Sequence, residues 1–319
     1  VVTPTASGKS LCYNLPVLDA VAADPSARAL YLFPTKALSQ DQLAEVRELS
    51  GLSGLDLIAA VYDGDTPAPI RQSSRAAGQI VVTNPDMLHS AIPPHHTKWF
   101  QLFEQLRYIV IDEAHTYRGV FGSHVANVLR RLQRVCEKYG ASPTFVLASA
   151  TAGDPAGSSS RLTGLPVVAV ADDASPRGST QFALWEPPLT DHGGENDAPT
   201  RRTATAETAM LLTDLVVEGV RTLAFVRSRR GAEAVAMTAR DSLAEVEPDL
   251  ATRVAAYRAG YLPEERRELE AQLRDGRLLG VAATNALELG VDVTGLDAVL
   301  LCGWPGTRGT TMAHTVSPQ

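Results

Sequence analysis

Short apolar runs separated by longer amphipathic stretches are what most restrict the fold of this 319-residue chain. The runs Ala29–Phe33, Leu57–Val61, Gln79–Thr83, Tyr108–Ile111 and Thr144–Ala148 are dominated by aliphatic side chains. A strand that is apolar on both faces must be covered on both faces, and parallel sheets with crossover helices supply that cover. Between the runs, Lys36–Leu49 and Phe121–Tyr139 show the three-to-four spacing of amphipathic helices. The pattern stops over Glu186–Thr205, where Pro187, Pro188, Gly193, Gly194 and Pro199 accompany few apolar residues. It restarts with a helix near Ala206–Glu218, strand Thr222–Val226, helix Ala232–Val246, and strands Leu279–Ala283 and Ala298–Leu301. The expectation is two α/β domains with parallel sheets: 1–185, a linker 186–205, a second domain 206–303, and a tail 304–319. The length suits two cores, since a domain usually holds roughly 100–200 residues.

Bulk properties narrow the function classes. The formal net charge is −7, so the whole molecule is no polycation, and a nucleic-acid partner would need a local basic groove. Cys12, Cys136 and Cys302 are far apart with no CxxC pair, which argues against a zinc site or a disulfide framework. They read as buried thiols of a protein in the reducing cytoplasm. No apolar run reaches the roughly 18 residues of a membrane span, and no membrane partner is expected.

The segment Thr3-Pro-Thr-Ala-Ser-Gly-Lys-Ser10 sits where a strand should end and a helix begin. Its second half matches a phosphate-binding P-loop, with Thr3 in place of the usual first glycine. Backbone N–H groups of the loop and the helix N-terminus suit phosphate oxygens. Lys9 would reach the β- and γ-phosphates of ATP, and Ser10 would hold Mg²⁺. The run Tyr108-Ile-Val-Ile-Asp-Glu-Ala-His115 then ends an apolar strand in two acids. Asp112 would hold Mg²⁺ through water, and Glu113 would orient and deprotonate the attacking water. A helix-starting turn or a solvated acid pair explains either segment alone, but not both in one domain.

Seven segments in order extend this reading: TPTASGKS, PTKALSQDQ (Pro34–Gln42), TNPDMLH (Thr83–His89), DEAH (Asp112–His115), SAT (Ser149–Thr151), FVRSRRGAE (Phe225–Glu233) and ATNALELGVDV (Ala283–Val293). Together they resemble the motifs of superfamily-two helicases. VYDGDTP (Val61–Pro67) and YRGVFGSHVANVLRRL (Tyr117–Leu132) look like those of YprA-type DEAH-box DNA helicases. The resemblance implies two RecA-like P-loop NTPase domains, with ATP and Mg²⁺ as cofactors. The nucleotide would lie against Thr5, Ala6, Ser7, Gly8, Lys9 and Ser10, and against Gly290 and Asp292 of the last motif. Thr35, Lys36, Thr83, Asn84, Arg227, Ser228 and Thr284 would hold a nucleic-acid backbone, while His115, Ser149 and Thr151 would couple hydrolysis to strand movement. Arg229 belongs to the same second-domain motif. The implied partner is single-stranded or duplex DNA and the implied process is repair, with RNA as the rival substrate. A non-catalytic nucleic-acid-binding remnant and a P-loop kinase of small metabolites are rivals from other classes.

The chain departs from the pattern at both ends. It starts at Val1-Val2, where family members carry adenine-recognising residues. It reads Gly303-Trp-Pro-Gly-Thr-Arg-Gly onward where they present a Gln-x-x-Gly-Arg-x-Gly-Arg segment, and Arg308 is the lone arginine there. The resulting expectations are a second domain incomplete at its end and a fragment that hydrolyses ATP poorly. Other features have plain readings. Arg130, Arg131, Arg134 and Lys138 are a solvated helix face, His95-His96 is not a metal site, and Trp99 and Trp185 are core or hinge packing.

Overall fold

The computed structural model describes residues 1–3, 7–150, 153–173, 179, 181–190, 198–258, 260–284 and 295–303. Two compact units divide the chain, Val1–Ser175 and Pro176–Gln319. Both are α/β with parallel sheets, as the sequence pattern predicts.

In the first unit β1 (Arg28–Leu32), β2 (Ala59–Val61), β3 (Ile80–Thr83), β4 (Leu106–Ile111) and β5 (Thr144–Leu147) pair in the order β2-β3-β1-β4-β5, every pair parallel. Val2 adds a parallel bridge to Ser149, just beyond β5. The covering helices are α1 (Lys9–Ala23), α2 (Lys36–Leu52), α3 (Ala68–Ala77), α4 (Pro85–Ala91), α5 (Phe100–Glu104), α6 (Gly119–Lys138) and α7 (Pro155–Thr163). Successive strand residues face opposite sides. On β1 and just past it, Ala29, Tyr31 and Phe33 enter the core beneath α1 and α2, while Leu30 and Leu32 enter the core built with α6. That double burial is why the strands read as unbroken apolar runs. Trp99 belongs to the second of these cores, its ring edge-on to Tyr62 at 4.8 Å.

In the second unit α8 (Ala204–Val217), β6 (Thr222–Phe225), α9 (Arg229–Val246), α10 (Pro248–Ala251), β7 (Val254–Tyr257), α11 (Pro263–Arg274), β8 (Gly280–Ala283) and β9 (Ala298–Leu301) form a parallel sheet in the order β7-β8-β6-β9. It too is buried on both faces. Neither β7 nor α11 was anticipated. Val254–Tyr257 is only four residues long, and Pro263–Arg274 is so charged that Leu269 and Leu273 alone mark its inner side.

The stretch taken from composition as a linker has order of its own. Leu189 and Arg201 form an antiparallel bridge, Thr190 N–H donates to Thr200 O at 2.8 Å, and Arg201 pairs with Glu186 at 2.9 Å. Trp185 donates its indole N–H to Glu207 of α8 at 3.0 Å. These bonds tie the segment to the second unit, and Trp185 itself stays exposed rather than packing in a core. Cys12 also differs from expectation. It is exposed, because α1 buries Tyr13, Asn14, Val17, Leu18 and Val21 and turns Leu11, Cys12 and Leu15 outward. Among the described residues no helix is long and apolar enough to cross a membrane, and no group of three metal-ligating side chains assembles.

Candidate nucleotide and nucleic-acid sites

The phosphate loop turns into α1 at Gly8, whose φ of +76° is the left-handed conformation that glycine adopts without strain. A Cβ there would meet nothing within 4 Å. No side chain caps α1 and no acid lies in its first turn, so the positive end of the helix carries no side-chain counter-charge of its own. Thr3, standing where a glycine was expected, places its hydroxyl 2.6 Å from that of Ser7, and Lys9 Nζ donates to Thr3 O at 3.1 Å. Burial lowers the Lys9 pKa, while Glu113 and Asp112 oppose that shift, so the three charges act on one another. Ser10 lies in the first turn of α1. Thr5 and Ala6 lie outside the described residues.

Asp112 follows β4 and is held by its own N–H donating to Leu32 O at 3.1 Å. Burial, and then the neighbouring Glu113 charge, push its pKa up to about 6. Glu113 is the one non-glycine residue with positive φ among those described, at +47°. Such a conformation costs of order 1–3 kcal/mol and tends to persist where function requires it. The turn brings Glu113 N–H to Asp112 Oδ1 at 2.7 Å. Glu113 Oε2 is buried without a hydrogen bond and lies 3.2 Å from Nδ1 of His115. The Ser149 hydroxyl is 3.3 Å from that same nitrogen. The structure therefore gathers Asp112, Glu113, His115 and Ser149, while Thr151 lies outside the described residues. A buried carboxylate whose charge is disfavoured, beside a lysine at a helix N-terminus that no side chain caps, fits a divalent cation bound to phosphate. Asp112 and Ser10 are the residues that would hold it.

The candidate backbone-binding residues cluster at the same edge of the sheet. β1 and β3 are neighbours with Leu32 opposite Thr83. Thr35 caps α2 by accepting from Leu38 N–H at 3.3 Å, and Asn84 caps α4 by accepting from Met87 N–H at 2.9 Å. Thr83 is fully buried and donates its hydroxyl to Tyr62 O at 2.7 Å, so it positions Asn84 rather than facing solvent. Exposed Lys36 pairs with Asp65 at 2.5 Å. The turn carrying Asp65 is pinned through Asp63 Oδ1, which accepts from Asp65 N–H and the Thr66 hydroxyl.

In the second unit β6 and β8 are neighbours with Phe225 opposite Ala283. Ser228 caps α9 by accepting from Gly231 N–H at 3.0 Å, Arg227 is exposed beside it, and buried Thr284 donates its N–H to Tyr257 O at 3.2 Å. Arg229, Arg230, Arg240 and Arg258 line a cleft of about 550 Å³ on the outer side of α9. Within it Arg258 is neutralised by Glu233 at 2.6 Å. Sequence reading missed this cleft, because its arginines come from two separated segments. Gly290, Asp292 and the 304–319 tail lie outside the described residues.

Residues 1–157 match the DEAD/DEAH box helicase family and residues 207–316 the helicase conserved C-terminal domain. The latter match runs through most of the segment that composition set apart as a tail. Over 307 residues the chain is 52% identical to the uncharacterized ATP-dependent helicase YprA of Bacillus subtilis (strain 168), covering 96% of this chain and 40% of that protein. It is 40% identical to the ATP-dependent helicase hrq1 of Schizosaccharomyces pombe, covering 96% of this chain and 29% of the relative. A crystal structure of the DUF1998 helicase MrfA bound to DNA and AMPPNP matches with a TM-score of 0.91 at 50% identity, covering 98% of this chain and 43% of that one. The chain thus spans less than half the length of these relatives. Two parallel sheets with the ordered motifs at their carboxyl edges, matched in both halves, place the chain among the DEAD/DEAH-box helicases of superfamily two.

Proposed function

We propose that the chain is the motor of an ATP-dependent DNA helicase, coupling ATP hydrolysis to movement along a strand and to its unwinding. The observation that carries this reading is the buried Oε2 of Glu113, without a hydrogen bond, beside Asp112 and near Lys9 at the start of α1. Bound ATP and Mg²⁺ would supply the phosphoryl group and neutralise its charge. Lys9, with the loop Thr5–Ser10, holds the phosphates, and Ser10 and Asp112 hold the cation. Glu113 orients a water and takes its proton. His115, whose Nδ1 faces both Glu113 Oε2 and the Ser149 hydroxyl, senses with Ser149 the state of Glu113, and Thr151 completes that motif. Gly290 and Asp292 contribute from the second domain.

Thr35, Lys36 and Asn84, with buried Thr83 positioning Asn84, at the sheet edge of the first unit, and Arg227 and Ser228, with Thr284, at that of the second, hold a backbone by helix N-termini, hydroxyls and a few cations. Such contacts read phosphate and shape rather than base sequence. The division 1–185, 186–205, 206–303 and 304–319, a cytoplasmic site and a role in DNA repair belong to this reading. DNA is favoured over RNA by the MrfA crystal structure bound to DNA. ATP turnover measured with and without single-stranded DNA, with RNA as competitor, tests the proposal. Stimulation by DNA that RNA fails to displace supports it, and turnover indifferent to DNA overturns it.

A further inference from the structure

A polar chain starts in the apolar core beneath α1 and α2 and reaches partly buried groups on α2. Tyr13, on α1, is fully buried, with its ring edge-on to Tyr31 at 5.6 Å. Its hydroxyl lies 2.9 Å from Asp112 Oδ2 and 2.8 Å from Gln42 Oε1. Gln42, on α2, donates from Nε2 to Glu45 Oε2 at 2.9 Å. Asn14, next to Tyr13, reaches Glu45 Oε1 at 3.5 Å and accepts from the Tyr31 hydroxyl at 3.0 Å. A tyrosine hydroxyl has one proton, yet this one faces two acceptors. It therefore donates to Asp112 or to Gln42, and donation to either leaves the other oxygen without that bond. At the buried Asp112 end an unmet acceptor costs about 1–3 kcal/mol, while Gln42 is only partly buried, so the choice is energetically significant.

The two ends of this choice belong to different binding functions. Asp112 closes the cation side of the nucleotide site. Gln42 sits two turns into the helix whose first residues, with the Thr35 cap, are the candidate backbone-binding groups. We propose that Tyr13 is a positioning residue that couples them: its hydroxyl sets the orientation of the Asp112 carboxylate and, through Gln42, biases the placement of α2. The inference rests on the helicase reading above and deepens it by assigning a route between the two sites within the first unit. A cation that draws Asp112 toward the phosphates changes how well the carboxylate accepts from Tyr13. The proton is then shared differently with Gln42, and α2 feels the change at its first turn.

The test uses Tyr13→Phe, which keeps the ring and deletes the hydroxyl, and Gln42→Leu, which cuts the α2 end and leaves Asp112 its donor. Two dissociation constants are measured by fluorescence anisotropy on the protein. They are the value for a labelled single strand with and without Mg²⁺ and a non-hydrolysable ATP analogue, and the Mg²⁺ concentration needed for analogue binding. In Tyr13→Phe the nucleotide-dependent change in strand affinity should shrink at least threefold and the Mg²⁺ requirement rise severalfold, with strand affinity alone unchanged. In Gln42→Leu the coupling should shrink while the Mg²⁺ requirement stays at wild type. A coupling ratio preserved in both variants overturns the inference. Wild-type protein that binds neither strand nor analogue would instead sink the helicase reading itself. If Tyr13→Phe fails to fold, Gln42→Leu alone decides.

Discussion

The two sheets finish their paired inner strands alike and differ in what one more strand carries. In the first unit β1 ends at Leu32 and the helix cap Thr35 follows three residues later, while its neighbour β3 ends at Thr83 and Asn84 follows at once. In the second, β6 ends at Phe225 with the cap Ser228 three residues later, while its neighbour β8 ends at Ala283 and Thr284 follows at once. The strand–cap–helix geometry of β1 and α2 thus recurs in β6 and α9, and a residue with a polar side chain follows the neighbouring strand at once in both units. This repeat is invisible residue by residue, since Pro34-Thr35-Lys36 and Arg227-Ser228-Arg229 share only the hydroxyl. Among the described residues, only the first sheet carries a strand, β4, that ends in an acid pair, buried Asp112 and partly buried Glu113, with a strained turn. On the proposed function, the comparison teaches that the candidate grip belongs to the scaffold and repeats with it, whereas the candidate chemistry needs one electrostatically costly strand end.

That cost is the first way to break the comparison. Folding raises the Asp112 carboxyl from its ordinary 3.8 to about 6. Between those values the folded chain holds more proton than the unfolded chain, so stability falls as pH rises through the window, and the full penalty is present above it. Two pKa units correspond to about 3 kcal/mol. Asp112→Asn should therefore stabilise the nucleotide-free first unit by up to that amount at pH 7.5 and change little near pH 4, as read from denaturant midpoints. A variant no more stable than wild type at pH 7.5 would remove the claim that the acid strand is a stored cost.

The caps sharpen it next. Thr35→Ala and Ser228→Ala each remove one side-chain acceptor from a helix N-terminus, a loss of about 1 kcal/mol in either unit. Equal losses, read as hydrogen-exchange protection in α2 and α9, support the repeat; a loss confined to one helix argues against it. The smallest stability effect belongs to Lys36→Ala. The Lys36–Asp65 pair is exposed on both sides and contributes about 0–1 kcal/mol. Removing the lysine should leave the melting temperature nearly unchanged but lower the slope of strand affinity against salt by about one. An unaltered slope would take Lys36 out of the interface.

How much of this was legible beforehand differs by physical cause. Strands buried on both faces announce themselves, and those at Ala29–Phe33, Thr222–Val226 and Ala298–Leu301 lie within a residue of their observed bounds at either end. β7 and α11 did not, since a four-residue strand and a helix with a narrow apolar seam leave too little periodicity. The acids and the lysine were readable as candidates because their chemistry needs particular side chains at particular offsets, whereas Thr35, Asn84 and Ser228 stood out only through the family resemblance. Tyr13 was not, because a tyrosine on an apolar helix face looks like packing, and its partner Asp112 lies 99 positions away. The burial of Thr83 was hidden likewise, since its hydroxyl is taken by the carbonyl of Tyr62 across two strands.

The most direct measurement is ATP turnover by wild type and Glu113→Gln on single-stranded DNA, with nucleotide binding measured in parallel. If Glu113 is the base that the buried, unbonded oxygen implies, the variant should bind ATP as well as wild type and lose about 10²–10⁴ in turnover. Turnover within a few fold of wild type, with binding intact, would contradict the assignment of the chemistry to the acid strand of the first unit.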